Sequence, residues 1–216
     1  MITIEIVITS DFICPWCLVA ETRLNKAIKQ LDTNIDIKRI WYPYELNPTM
    51  PEAGMERKAY RTGKFGSWEY SQQLDAQTIQ ATKGDGINFC YDLMKKTPNT
   101  LKAHRLTWFA AYRDKATEMA TGILNAYFTE GKDITDIETL AKLAGDVGIN
   151  EQEAKDFLHT DAGIEQIREL EKQAAISGIR SVPTIKIGEE IVVGGQSVEV
   201  FLVALQNARM QRLSNE

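Results

Sequence analysis

The chain has 216 residues, 44% hydrophobic and 25% charged, which is ordinary globular usage and excludes collagen, wholesale disorder and a disulfide-dense mini-protein. A formal net charge of −5, from 25 Lys+Arg against 30 Asp+Glu, argues against a nucleic-acid partner or a basic membrane-surface protein. Without a long uninterrupted apolar run, nothing is expected to span a bilayer, and a chain of this length can bury about 70% of its unfolded surface without covalent staples.

Thr3 to Thr9 (TIEIVIT) alternates and is rich in β-branched residues, which predicts a strand. Asp11 to Pro15 follows as a turn. From Trp16 the period changes, and Leu18, Val19, Leu24, Ile28 and Leu31 fit one helical face. Pro15 falls in the first helical turn, where a missing N–H is harmless. Ile35 to Pro43 (IDIKRIWYP) reads as a second strand, and β–α–β order calls for a right-handed crossover and a parallel pair. Pro48 and Pro51 end that unit. Residues 52–60, 67–82, 100–113, 115–130, 136–144, 151–159 and 163–177 all read as helices, with capping cues at Asp136 and Asn150 and glycine stops at Gly148 and Gly178. Strands return at Pro183 to Ile187 and Glu190 to Val193 as a short hairpin, and Ser197 to Met210 closes the chain as a helix. No internal repeat, low-complexity segment or flexible linker interrupts the order. The expected fold class is therefore α/β: residues 1–50 and 179–216 make one unit, and 51–178 form a large all-helical insertion packed on its sheet.

The chain has three cysteines, two of them in Cys14-Pro15-Trp16-Cys17 at the strand-to-helix junction. The reactive species of a cysteine is its thiolate. A helix N-terminus offers unpaired N–H groups and a partial positive charge, so Cys14 is expected to ionise easily. Cys17, one turn inside the helix, is expected to be more buried and to keep its proton. That asymmetry makes Cys14 the attacking sulfur on a substrate thiol or disulfide and Cys17 the one that resolves the mixed disulfide. A zinc site would need four ligands, and Cys90, His104 and His159 show no ligand spacing relative to the pair. The second signal is Ser181-Val182-Pro183-Thr184, entering the third long strand. Proline in a sheet is confined to starts, edges and special turns. A cis Val182–Pro183 bond would offer the Val182 backbone to an extended substrate chain as an added strand.

SDFICPWC followed by an amphipathic helix, the helical block, GIRSVPTIKIG and GGQSVEVF together resemble the DsbA-like thioredoxin-fold proteins, specifically the FrnE subgroup, over essentially the whole chain. The segments Asn99–Leu106 (NTLKAHRL) and Ala126–Gly131 (AYFTEG) match the same subgroup. The resemblance implies a thioredoxin fold and a dithiol–disulfide oxidoreductase with Cys14 as nucleophile, Cys17 as partner and Pro183 in cis. It implies no metal or organic cofactor, since the cysteine pair is itself the two-electron centre. Protein or small thiol/disulfide substrates are expected, with glutathione or a thioredoxin-like protein as recycling reductant; oligomeric state stays open. Two features depart from the family. The buried carboxylate that many thioredoxin-fold enzymes carry six residues before the first cysteine is replaced by Ile8, leaving Asp11 and Glu45 as the nearest acidic candidates. Residues 1–12 also lack the basic region of a secretory signal, and Glu5 and Asp11 interrupt their apolar stretch, so a cytoplasmic location is expected.

Other residues carry two readings each. Trp16 is either a substrate-facing aromatic or a surface residue. Cys90 is expected to pack as a small buried hydrophobe, with a redox role as its second reading. His104 is either a proton shuttle facing the cysteine pair or a structural residue, and His159 is expected at a helix end or surface. Trp41, Tyr42, Tyr44, Trp68, Tyr70, Trp108, Phe109 and Tyr112 are expected to fill the sheet–insert interface. Arg57, Lys58, Arg61 and Lys64, nearly balanced by Glu52, Glu56 and Glu69, are expected on a solvated helix face. Two rival functions remain. Kappa-class glutathione transferases and 2-hydroxychromene-2-carboxylate isomerases are similar in architecture, but typically place Ser near the Cys14 position and lack the second cysteine. A non-enzymatic binder using the insert's apolar groove is the third reading.

Overall fold

The computed structural model describes residues 2–31 and 35–214. β1 (Ile2–Ser10) turns into α1 (Pro15–Ile28), which returns to β2 (Ile35–Pro43), parallel to β1 with Ile2 opposite Ile35 and Ser10 opposite Pro43. The short β3 (Met55–Glu56) leads into α2 (Arg57–Phe65) and α3 (Trp68–Ala81), and β4 (Lys96–Thr97) pairs back onto β3. Five helices follow: α4 (Leu101–Ala111), α5 (Ala116–Phe128), α6 (Ile137–Asp146), α7 (Glu151–Leu158) and α8 (Ile164–Ile176). The hairpin β5 (Thr184–Ile187) and β6 (Glu190–Val193) and the helix α9 (Val198–Ser214) complete the chain. The main sheet runs β2-β1-β5-β6, with β5 antiparallel to β1 and β6 antiparallel to β5. This is the β-α-β plus β-β-α arrangement expected of a thioredoxin fold with a helical insertion.

β1 is central because its alternate residues Ile4, Ile6 and Ile8 are all buried. They meet Ile185 and Ile187 of β5, Ala20, Leu24 and Ala27 of α1, and Phe201, Ala204 and Leu205 of α9. A second cluster unites α4, α5, α6 and α7 around Leu106, Ile123, Phe128 and Leu140, and it takes in Phe12, Cys14, Cys17 and Leu18 from the β1–α1 junction. The first turn of α1 is therefore gripped by the helical block, while its later turns belong to the sheet. Trp41 of β2 packs against both clusters and donates its indole N–H to Thr117 at 3.1 Å.

Several helices begin on a side-chain cap, among them the two expected at Asp136 and Asn150. Asp136 accepts the Thr139 N–H, Asn150 accepts the Glu153 N–H and Ser67 accepts the Tyr70 N–H. The helix expected over 52–60 is displaced: Pro51 to Gly54 form a turn closed by a 2.7 Å bond from the Gly54 N–H to the Pro51 carbonyl. Glu56 then caps α2 by accepting the N–H groups of Lys58 and Ala59. A two-residue ladder such as β3–β4 has no periodicity for a sequence to display. Gly54 permits it, with φ +72° and an ideal Cβ position only 2.7 Å from the Thr97 carbonyl oxygen. The interface aromatics divide. Trp41 and Phe109 pack against the helical core, whereas Tyr70 and Tyr112 are exposed and do not fill the interface.

One buried ion pair fixes α1 against β2. Glu21, one turn beyond Cys17, is buried; its Oε1 accepts from Arg39 at 2.8 Å, from Asn25 at 2.7 Å and from Thr121 of α5 at 3.2 Å. Removing one partner strands the other charge in a dry setting. We expect Arg39→Ala to destabilise the fold by about 3–5 kcal/mol, read as a lower urea midpoint at unchanged slope; a midpoint equal to that of the parent would show that the pair contributes nothing.

Candidate active site at the start of the first helix

The site grows from the turn between β1 and α1. The Cys14 N–H donates to the Asp11 carbonyl at 3.2 Å and closes that turn. Cys14 is the extended N-cap of α1, with Pro15 in the first helical position and the Cys17 N–H donating to the Cys14 carbonyl at 3.0 Å. Both thiols are free and buried, at 7% and 3% exposure. Cys14 Sγ stands 3.6 Å from the Val182 carbonyl oxygen, and the Val182–Pro183 peptide bond is cis. On the inner side, Cys17 Sγ accepts the Asp11 backbone N–H at 3.5 Å.

The two sulfurs are driven apart in acidity. The Cys14 thiol is held below the ordinary thiol range, first by a hydrogen bond from the Cys17 side chain and further by the Cys17 and Trp16 backbone N–H groups. Burial and the charge of Asp11 oppose that fall. Cys17 is pushed well above the ordinary range, chiefly by burial and then by its bond to Cys14; Ser10 and the Asp11 backbone pull the other way. The helix N-terminus thus acts as expected on Cys14, but the neighbouring thiol is the larger influence.

The position of the missing carboxylate, Ile8, is occupied by core packing against Ile185. The polar environment comes instead from Asp11 and Ser10. Asp11 is fully buried, and its carboxylate accepts the Phe12 N–H and the Leu46 N–H, each at 2.8 Å. His104 of α4, also buried, sets Nε2 3.3 Å from Asp11 Oδ1 and rests its ring 4.7 Å from that of Phe12. His104 therefore stands behind Asp11. Its side-chain polar contact is to that carboxylate. Glu45 is engaged by Arg168, and burial raises its carboxyl above the usual range. Cys90 is half-buried, with its N–H donated to the Phe128 carbonyl at 2.8 Å, so it is not the core residue expected. His159 is the exposed C-cap of α7.

Trp16, 36% exposed, lies over Gly195, where an ideal Cβ would come within 2.9 Å of the indole Cε3. Beside it a cavity of about 280 Å³ opens, walled by Cys14, Pro15 and Trp16 on one side and by α2 and α3 on the other. The basic run divides: Lys58 and Lys64 are exposed, as expected of a solvated face, whereas Arg57 and Arg61 turn inward. Arg57 is buried on Asp75 of α3 at 2.7 Å, Arg61 bonds the same carboxylate at 2.9 Å, and Lys64 lines the same cavity. The signal was the spacing: positions 57, 61 and 64 share one helical face. Among the described residues no group of His, Cys, Asp and Glu is placed to hold a metal ion, and no helix is long and apolar enough to cross a membrane.

The family model described as DSBA-like thioredoxin domain matches residues 5–206. The uncharacterized protein YwbO of Bacillus subtilis (strain 168) is 28% identical over 211 residues, covering 97% of this chain and all of that protein. Among solved structures, a probable DsbA oxidoreductase, SCO1869 from Streptomyces coelicolor, superposes with a TM-score of 0.85 at 24% identity, over 96% of this chain and 90% of the other. The cytosolic disulfide reductase DsbM from Pseudomonas aeruginosa, solved with GSH, gives 0.66 at 18% identity over 98% of both chains.

Two outcomes test the electrostatics. Iodoacetamide at about pH 6.5 should label Cys14 faster than Cys90; equal rates would refute the thiolate. Asp11→Asn removes a negative charge that raises the Cys14 thiol, so the midpoint of its pH–alkylation profile should move down. A midpoint that stays in place would remove Asp11 from the electrostatics of the site.

Proposed function

The chain belongs to the DSBA-like thioredoxin domain family, and on that premise we propose that it is a thiol:disulfide oxidoreductase working through Cys14-Pro15-Trp16-Cys17. The observation that carries this reading is geometric: Cys14 caps α1 with its sulfur 3.6 Å from the Val182 carbonyl oxygen, and buried Cys17 lies one turn inside the same helix, with the Cys14 thiol lowered and the Cys17 thiol raised in keeping with those places. Such a pair supplies an anion for attack and retains a protonated second thiol for resolution.

In the reducing direction, Cys14 thiolate attacks one sulfur of a substrate disulfide, the substrate S–S bond breaks, and one thiolate leaves and takes a proton. Cys17 then loses its proton and attacks Cys14 Sγ in the mixed disulfide. The second substrate thiolate departs, two electrons have passed to the substrate, and Cys14 and Cys17 share a disulfide. The oxidising direction is the reverse. Stabilising Cys14 as an anion stabilises the reduced pair, which makes the couple more oxidising. No cofactor enters this cycle. Substrates are protein or small thiols and disulfides, and glutathione or a thioredoxin-like protein restores the starting state, in keeping with the GSH in the DsbM structure and that protein's cytosolic description. A cytoplasmic location belongs to the same proposal.

Val182 and Pro183 are assigned to the substrate main chain, since the Val182 carbonyl lies beside the attacking sulfur. Pro15 and Trp16 form the face over which the substrate arrives. His104 is assigned a positioning role: it holds Asp11, whose charge acts on Cys14. The division into residues 1–50 with 179–216 and an insertion at 51–178 is retained as a functional division, with sulfur chemistry on the first and most of the cavity wall on the second.

The test is Cys17→Ser. It should abolish turnover of disulfide substrates and accumulate a mixed disulfide on Cys14, detected by intact mass. Full turnover by the variant would favour a glutathione-dependent isomerase or transferase, which needs only one residue at this position.

A further inference from the structure

We propose that the cavity beside Cys14 selects low-molecular-weight disulfides carrying carboxylates, with Lys64 and Arg61 of α2 pairing the anionic group while Cys14 attacks the sulfur. This rests on the oxidoreductase reading and names the substrate class of the same site.

Three observations lead there. The first is size and place. The space is about 280 Å³ and is bounded by Cys14 itself. That is near the lower end of small-molecule sites, roughly 300 Å³, and suits a compact ligand better than a folded partner.

The second is charge. Three cations, Arg57, Arg61 and Lys64, line the cavity against one carboxylate, Asp75. Arg57 is already engaged: it is buried on Asp75 at 2.7 Å and lies 5.4 Å from the Tyr91 ring centroid. Arg61 is held in place by Asp75 at 2.9 Å and by the Ser71 hydroxyl and carbonyl, which orders it without cancelling the excess charge. Lys64 donates to the Tyr60 hydroxyl at 3.0 Å and has no carboxylate partner among the described residues. This excess of positive charge occurs in a chain whose net charge is −5. Positive groups in a concave, low-dielectric wall raise the local concentration of anions.

The third is a neutral hydroxyl in the wall. The Tyr91 hydroxyl is enclosed beside Thr78, and burial pushes its phenol above the ordinary range, so it stays protonated and adds no negative charge to offset the cations.

The chemistry balances. The reduced pair and RSSR give the Cys14–Cys17 disulfide and two RSH. Two equivalents of a low-molecular-weight thiol, or one dithiol, then restore the reduced pair.

The experiment uses the full chain and three small disulfides that differ in charge: oxidised glutathione, hydroxyethyl disulfide and cystamine. The expected order of kcat/KM is anionic above neutral above cationic. Lys64→Glu should lower the anionic-to-cationic ratio by at least about tenfold, expressed mainly in KM, as charge reversal at a pairing site predicts. Lys64→Arg should retain the ratio. Arg61→Gln, checked for folding by circular dichroism, should lower it in the same sense. Turnover of all three disulfides with a charge ratio that Lys64→Glu does not alter would overturn the cavity assignment and leave the oxidoreductase reading standing. No turnover of any of the three, together with no trapped intermediate on Cys17→Ser, would overturn that reading and this one with it.

Discussion

Two buried cysteines one helical turn apart at the head of α1 organise this site. Burial raises the Cys17 thiol. Cys14 is lowered by its neighbour's thiol and by the backbone N–H groups at the head of α1. Neither condition arises from the cysteines alone. Cys17 is dry because the first turn of α1 is packed into the helical cluster with Phe12 and Leu18. Cys14 meets the N–H groups because Pro15 starts the helix immediately after it. The Glu21–Arg39 pair then holds the helix against β2, so that the first turn cannot drift out of that packing.

The polar support of the pair comes from the turn rather than from β1. Ile8 is buried in the sheet core, so the carboxylate that the resemblance implied at that position is missing. Asp11 occupies the turn instead, three residues closer to the cysteines, and its side chain is tied down by two backbone N–H groups and by His104. A carboxylate fixed in this way acts on Cys14 as a standing negative charge that opposes ionisation. The acidity of Cys14 is thus a balance of opposing local fields, and a balance can be tuned by small changes in either arm.

The helical block does more than cover the sheet. Its α2–α3 pair brings two arginines onto one aspartate and leaves Lys64 lining a cavity that Cys14 also bounds. The block that dries Cys17 therefore also supplies the charge that meets a ligand. Arg57 lies over both Trp68 and Tyr91, which fixes α2 to its surroundings and makes the cavity wall a built surface.

The local signals were legible in the chain itself. The alternation of TIEIVIT, the proline one residue after Cys14, the caps at Asp136 and Asn150 and the order of elements determined the strands, the cysteine turn and the fold class. Those features act over a few residues, where side-chain period and backbone preference decide the outcome. Tertiary structure decided the rest. Asp11 and His104 are 93 residues apart, and Arg57 and Asp75 are 18 apart, so only packing could bring each pair together. It placed Cys90 outside the core, set α2 five residues later than periodicity suggested, and turned Arg57 and Arg61 of the basic run from a solvated face onto Asp75 in a cavity wall. The reason is physical: a charge pattern along a helix specifies which residues share a face, but the direction of that face is settled by what the rest of the chain packs against it.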